Sequence, residues 1–318
     1  MPLRPTAVRH FVLTALAIGA TALGSAAALF WLFGRLVSDQ NRLAELGSHL
    51  PTPAAALLPA LAALFLHRLG HRRSALTCLG IALVPAVVLA AIETRWRATP
   101  AAEAVQPNRG LVHWNVEWNL AGWDRLIPAL EPRARDLVVL SEVPVTTDLD
   151  ALAAQLGPGF YAVRLSNMAL FTREQPEAVR RIADEFFLKL FEVEWSDPAL
   201  KLLVVDIVSA PTVRRWPQLD RVAKEAAARR VDLVVGDFNT PKVQLLRHLP
   251  AGFVDAYTCC GRGWSATWPM PLPVLALDHM LLGPRIRTHS YTLGSSRWSD
   301  HRLQELRFSL EPQARRNE

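Results

Sequence analysis

The chain has 318 residues, 51% of them hydrophobic and only 20% charged, an apolar balance for a wholly soluble protein with room for one large domain or two small ones. The formal charge of +6 suits an anionic membrane surface as well as nucleic acid, so it does not choose between those partners. The cysteines exclude a disulfide framework: Cys78 falls in an apolar run, while Cys259 and Cys260 are neighbours, which rarely bridge without strain and lack metal-ligand spacing.

The N-terminal part is a series of charge-free stretches, Phe11 to Gly34, Leu50 to Leu66 and Ser74 to Ile92. A helix crossing the hydrocarbon core of a bilayer needs roughly 17–25 apolar residues. The first and third stretches meet that length. The second is at the short limit and carries Pro51, Pro53 and Pro59, which favour a tilted, kinked or partly interfacial segment. We therefore expect about three transmembrane helices, at 11–34, 50–68 and 74–93, within a membrane region spanning 1–97. The first run exceeds the ~7–15 apolar residues of a signal peptide and continues through "LFWLF" beyond the small cluster "GSAAA", which favours an uncleaved anchor. Arg4, Arg9 and the basic cluster "HRLGHRR" orient the N-terminus and the second loop inwards. Three spans from that start put the remainder outside the cytoplasm. The expectation is a multi-pass cell-membrane protein, with lipids as partners of its helices.

Residues 98–109, inside the Pro- and Ala-rich "TRWRATPAAEAVQPNRG", read as a linker to a domain at 110–318. There the texture changes to short apolar strands alternating with helical or loop stretches. "LVHWNV" and "DLVVLSEV" read as buried strands flanking a helix in "AGWDRLIPALEPRA". "FYAVRL" and "NMALFTR" suggest a hairpin, and "FFLKLFEVEW" is a half-exposed strand followed by "KLLVVDIVSA". A helix in "PQLDRVAKEAAARR", with proline near its start, leads into the strand "VDLVVGDFN". Further strands fall in "VLALDHMLLG", "RTHSYTLG" and "RLQELRFSL". Hairpins mixed with strand–helix–strand units imply an α/β fold of two packed sheets with helices outside.

Several of these strands end on a polar residue: Asn115, Glu142, Asp237 with Asn239, Asp278 with His279, and, just before the last strand, Asp300 with His301. One acid at a strand end is an ordinary turn residue. Carboxylates, amides and imidazole at several strand ends suggest a convergent pocket suited to a hard cation and to phosphoryl transfer.

In that order, "HWNV", "LSEV", "GDFN", "LDH" and "SDH" resemble the endonuclease/exonuclease/phosphatase superfamily, which includes DNase I-like nucleases, inositol-phosphate phosphatases and neutral sphingomyelinases. The resemblance covers roughly residues 110 to 310 and implies a four-layered α/β sandwich of DNase I type behind the N-terminal transmembrane region. It implies a divalent cofactor, Mg²⁺ or Mn²⁺, bound by Glu142 with Asn115 beside it and Asp300 nearby. Asp237 would orient or deprotonate the attacking water, Asn239 would hold the phosphate, and His301, supported by Asp278, would contact it and stabilise developing charge. Asn167 matches a substrate-facing position of the family. Trp268 in "GWSATWP" would add an aromatic wall to the substrate site, and His279 reads as packing. One departure stands out. The family's histidine late in the central strand is replaced in "LLVVDIVSAP" by Asp206 or Ile207, an acid there requiring a metal or pairing with Arg214 or Arg215.

The expected function is thus a membrane-anchored, metal-dependent phosphoesterase acting on a lipid or polyprenyl phosphate at the outer membrane surface. The alternatives are an outward-facing endonuclease, for which "VRRW" and "AAARR" are the only dense basic stretches, and a catalytically inactive binding domain of the same fold. Nucleic acid is an admissible but disfavoured partner.

Overall fold

The structure, a computed structural model, describes residues 5–38, 41–97, 109–210 and 213–311. The chain divides into two compact units, Met1–Thr94 and Arg95–Glu318.

The first unit holds α1 (Pro5–Val37), α2 (Arg42–Ser48), α3 (Thr52–Arg68) and α4 (Arg72–Val88). Phe11–Val37 and Arg72–Glu93 are each long and apolar enough to cross a membrane. The middle apolar run differs from a simple span. Pro51 caps a new helix, so α2 and α3 meet at 80°, and the pair forms either a broken span or a re-entrant loop. Packing is inverted relative to a soluble bundle. The interior is small, built on Ala17, Ala62, Ala63, Ala75 and Cys78 with Leu66, while Phe11, Ile18, Leu23, Leu61, Leu76 and Leu83 are exposed. Water would penalise such a surface and lipid would not. Close approach explains the small residues: a Cβ on Gly24 would lie 2.9 Å from Pro59 Cα, and one on Gly34 would overlap the backbone of Gly47. One pair of charges meets within the unit, Arg35 with Glu93 at 2.5 Å, and Thr52 Oγ1 donates to the same carboxylate at 2.7 Å.

The second unit contains two six-stranded sheets. Its strands are β1 (Arg109–Asn115), β2 (Leu137–Ser141), β3 (Tyr161–Leu165), β4 (Met168–Thr172), β5 (Ala178–Asp184), β6 (Leu188–Ser196), β7 (Ala199–Ile207), β8 (Leu233–Asp237), β9 (Val254–Asp255), β10 (Asp278–Leu282), β11 (Ile286–Gly294) and β12 (Leu303–Leu310). One sheet runs β11-β12-β1-β2-β4-β3 and the other β9-β10-β8-β7-β6-β5. In each sheet a single parallel pair, β1/β2 or β7/β8, is flanked by antiparallel neighbours. The parallel pairs require crossovers. These contain α5 (Trp123–Leu130) in one sheet and α7 (Trp216–Arg229) in the other, with α6 (Leu149–Leu156) following β2.

Side-chain alternation builds four layers. Leu111, Val139 and Leu306 of one sheet meet Val204, Val235 and Met280 of the other in a shared core. Their sequence neighbours point outwards: Val112, Val138 and Leu140 pack on α5 and α6, and Leu203, Val205 and Val234 on α7. The chain therefore has mixed sheets and a DNase I-like, helix–sheet–sheet–helix arrangement. Several elements carry no signal of their own in the sequence, among them β5, with exposed arginines where an apolar strand pattern would stand, the two-residue β9, and the short helix α6. The expected linker 98–109 lies outside the described residues except for Arg109, which begins β1. Cys259 and Cys260 are joined in the structure, and a bond between neighbours ties no two elements together.

Gly236 is obligatory in β8. Its φ is +151°, and an added Cβ would overlap the carbonyl oxygen of Val205 on the adjacent strand. Gly236→Ala is expected to cost more than about 3 kcal/mol and to abolish the protease-resistant second unit. Gly294→Ala, where the added atom meets nothing nearer than 3.7 Å, is expected to leave it resistant.

Candidate active site

The inner faces of the two sheets are apolar along most of their length and polar at one end. The parity that buries Leu233 and Val235 between the sheets carries Asp237, and the same parity carries Asp206 after Val204 and Asp278 before Met280. Register sets the three acids side by side, since Asp206 pairs with Asp237 across β7/β8 and Asp237 with Asp278 across β8/β10. In the opposite sheet the parity of Leu111 carries His113 and Asn115, and Asn115 pairs with Ser141, immediately before Glu142.

The two sheets are joined here by hydrogen bonds. Asn115 Nδ2 donates to Asp237 Oδ2 at 2.9 Å, and Asn239 N donates to the other oxygen of that carboxylate at 2.8 Å. Glu142, left-handed at φ +56°, lies close enough to the Asn115 amide for that group to favour its charged form. His301 Nδ1 donates to Asp278 Oδ2 at 2.8 Å. The His301 loop is pinned by Trp114 Nε1, which donates to the His301 carbonyl at 3.0 Å, and by Ser299 Oγ, which donates to the Asn115 carbonyl at 2.7 Å. Asp300 Oδ1 lies 3.8 Å from His301 Nε2, while its other oxygen accepts from Trp268 Nε1 at 2.7 Å.

Asn167 Nδ2 donates to Asp206 at 2.5 Å. Of the two partners expected for Asp206, a metal or an arginine, the arginine does not supply its hydrogen bond, which comes from this amide. Buried Arg215 donates to the carbonyls of Asn239, Ala210 and Val213, and Arg214 stacks on Trp216. Asn239 donates its own amide to Ile207 O at 2.8 Å, and His279 sits in packing, bonded to the Thr240 carbonyl at 3.0 Å.

Burial and crowding shift the ionisation of these groups. Burial raises Glu142, with Asp300 and Asp278 adding repulsion. Burial likewise pushes Asp206 up to about 7, and holds Asp237 well above the carboxylate range with Asp278 as the main neighbouring charge. At His301 burial opposes the charge but is outweighed by Asp278, Asp237 and Asp300, so the imidazolium is held up to about 10. Asp278 is correspondingly lowered, burial being overcome by His301 and by His113.

A cleft of about 380 Å³ opens onto this cluster, with Glu142, Asn167, Asp206 and Asn239 among its lining residues. Carboxylates exceed cations around it, and one oxygen of Asp300 is buried without a hydrogen-bond partner. A hard cation with oxygen ligands fits that deficit. Asp237, Asp278 and His301 also offer ligand atoms all within 4.8 Å of one another. His301, however, already gives Nδ1 to Asp278 and carries a proton on both nitrogens when charged, which leaves no lone pair for a metal.

The profile of the Endonuclease/Exonuclease/phosphatase family matches residues 112–301, more than half of the sequence. The chain belongs to this family. Its members are hydrolases of phosphate ester bonds, typically dependent on a divalent metal, and the chain is a hydrolase of that kind. No curated protein matches it in sequence. Among solved structures it is similar to a 3' phosphatase, NExo, from Neisseria bound to a product DNA hairpin, at 17% identity and a TM-score of 0.51, covering 63% of this chain and 99% of that one. A family member from Bacteroides vulgatus shares 15% identity at a TM-score of 0.51, covering 64% and 98%. A humanized D. rerio TDP2 shares 20% identity at a TM-score of 0.50, covering 63% and 98%. At these identities the likeness is one of fold.

The structure brings Asn115, Glu142, Asp237, Asn239, Asp278, Asp300 and His301 to one end of the sandwich, with Asn167 on the cleft wall. Trp268 stands apart from the cleft lining, as the donor to Asp300. Sequence reasoning missed the buried support beneath the family site: His113 Nε2 bonds Ser141 Oγ at 3.0 Å, and Gln304 Nε2 donates to the Asp278 carbonyl at 2.8 Å. Their one signal was polarity within otherwise apolar strands. The pH dependence of activity follows from the His301 charge. Raising pH removes the proton, so the wild type is expected to keep kcat/KM to about pH 9–10. Asp278→Asn removes the leading attraction while burial still opposes the charge, so its activity is expected to fall at a markedly lower pH than that of the wild type. A pH–rate profile of the two proteins checks this.

Proposed function

We propose that the protein is a membrane-anchored, divalent-metal-dependent phosphoesterase that cleaves a phosphate ester of an amphiphile, a lipid or polyprenyl phosphate, at the outer membrane surface. The observation carrying the reading is the convergence of the Asp278–His301 pair, the doubly held Asp237 carboxylate, Asn115 and Asp300 at one end of the sandwich, beside a cleft lined by Glu142 and Asn239. In this reading Glu142, Asn115 and Asp300 hold the metal, Mg²⁺ being favoured by an all-oxygen donor set. When bound, it would supply Lewis-acid stabilisation of the phosphoryl oxygens.

The chain's own groups do the rest. Asp237, with both oxygens fixed by amide donors, orients the attacking water and takes its proton, for which a raised pKa makes it a competent base. His301 presents its Nε2–H to the phosphoryl group, and Asp278 keeps that ring charged as negative charge builds in the transition state. Asn239 and Asn167 line the phosphate side of the cleft. Protonated Asp206 would remove a repulsion from an anionic substrate.

The nuclease reading draws on the DNA-bound fold relative, but the basic stretches it needs are engaged elsewhere. Arg215 is buried against backbone carbonyls, and Arg229 pairs with Glu225 and Glu192. The binding-domain reading leaves the buried carboxylates without a purpose that would offset their desolvation.

Purified full-length protein is expected to hydrolyse a generic phosphomonoester or phosphodiester with Mg²⁺, to lose that activity to chelator, and to fall by at least about 10²-fold in Asp237→Ala. No hydrolysis of either by folded wild type would favour the binding domain, and salt-sensitive plasmid cleavage the nuclease. Sidedness turns on the α2–α3 pair, since an odd number of spans from an inward N-terminus leaves the second unit outside. A C-terminal reporter active only outside the cytoplasm is expected to be active. Silence from that reporter, with an inward-active one signalling, would mean that α2–α3 re-enters without crossing.

A further inference from the structure

Part of the wall of the cleft is apolar, and three separate loops contribute to that part. Trp118, Val145 and Phe186 all line the cleft and all project into solvent, at 48%, 73% and 74% exposure. Trp118 follows β1, Val145 follows Glu142, and Phe186 sits at the tip of the β5–β6 hairpin, edge-to-face with Phe187 at 5.2 Å. Scattered exposed hydrophobes are normal, but a set converging on one catalytic cleft is a recognition surface.

Backbone strain marks Trp118 in particular. Glu117, Trp118 and Asn119 are consecutive left-handed residues at φ +49°, +53° and +60°. A non-glycine residue there costs roughly 1–2 kcal/mol, so a run of them persists only where its surroundings enforce it. The enforcing contacts are those of the active site. Glu117 N donates to Asn115 Oδ1 at 2.9 Å, and Glu117 Oε2 accepts from Asp300 N at 3.3 Å. The turn that displays the Trp118 ring is thus fastened to the Asn115–Asp300 side of the cluster.

We infer that Trp118, Val145 and Phe186 form a subsite for the hydrocarbon chain of a phosphate ester whose headgroup sits against Glu142, Asn239 and Asp206. The inference rests on the phosphoesterase reading and adds the residues that select the substrate. The charge of the cleft favours a hydrocarbon chain over a polynucleotide. Among the described residues that line it the one cation is Lys189, which pairs with Asp184 at 3.1 Å, a lining without the row of basic groups that a phosphate backbone calls for. The same polypeptide carries helices whose exposed Leu, Ile and Phe side chains suit lipid, and tethering to a bilayer raises the concentration of such esters around the protein.

Binding of dodecylphosphonate and methylphosphonate to the full-length protein in nanodiscs, with Mg²⁺ present, tests the inference without needing turnover. Wild type is expected to bind the long-chain phosphonate at least about tenfold more tightly than the short one. Trp118→Gly suits the left-handed backbone and removes only the ring, and Phe186→Ser alters an exposed hairpin tip. Each is expected to reduce that ratio several-fold, and the two together to bring it near unity. An unchanged ratio in the double variant would overturn the subsite. Tighter binding of an oligothymidylate than of dodecylphosphonate, lost in Phe186→Ser, would also overturn it and assign the wall to base stacking. A chain-length preference lost in the variants, in a protein that hydrolyses no phosphate ester, would uphold the subsite while removing the catalytic reading.

Discussion

The hydrogen bond from Asn115 to Asp237 is the interaction on which the site depends. It joins residues 122 positions apart and lies where the apolar layer between the two sheets ends. On one side of it the inner faces are closed by Leu111, Val139, Val204 and Val235. On the other, the same parity exposes Asn115, Asp206, Asp237 and Asp278 to one another. A sandwich whose inner faces were apolar to their ends would be a more stable scaffold and would have no chemistry. The polar end costs desolvation and mutual repulsion, offset in part by the His301 charge and by amide donors from Asn115, Asn167 and Asn239.

The remaining carboxylate excess is what gives the cleft its character. Asp278 is drawn down by His301, while Asp237 and Glu142 are lifted by burial, so neighbouring acids of one chemical type acquire different roles. Behind them, His113, Ser141 and Gln304 satisfy one another and the Asp278 carbonyl, holding the catalytic strand ends without touching the cleft. Asp300 is positioned by Trp268 from one side and by Glu117 from the other. The Glu117 contact also sustains the strained turn of Trp118, so the geometry of the acids and the apolar wall of the cleft share a support.

The N-terminal unit obeys the opposite solvent logic. Small residues face inwards and large aliphatics outwards, the arrangement expected where lipid replaces water. The Arg35–Glu93 pair, sharing Thr52, satisfies opposite charges within that unit. Pro51 starts α3 directly after α2, so the helix that fills the second apolar run meets a short polar-ended helix at a steep angle.

By itself the sequence determined what is local or periodic: the apolar runs, the buried strands "LVHWN" and "DLVVLSE", the hairpin of "FYAVRL" with "NMALFTR", and the order of polar strand ends that marks the family. Hydrophobic period and turn chemistry are properties of neighbouring residues, so they survive translation into one dimension. Tertiary structure decided the rest. Register set Asp206 beside Asp237 and Asp278, Asn167 rather than an arginine satisfied Asp206, and the strand β5 formed from exposed, arginine-rich sequence by pairing with β6. Those outcomes depend on which strands become neighbours and in what register, and pairing between separate strands leaves no periodic trace along the chain.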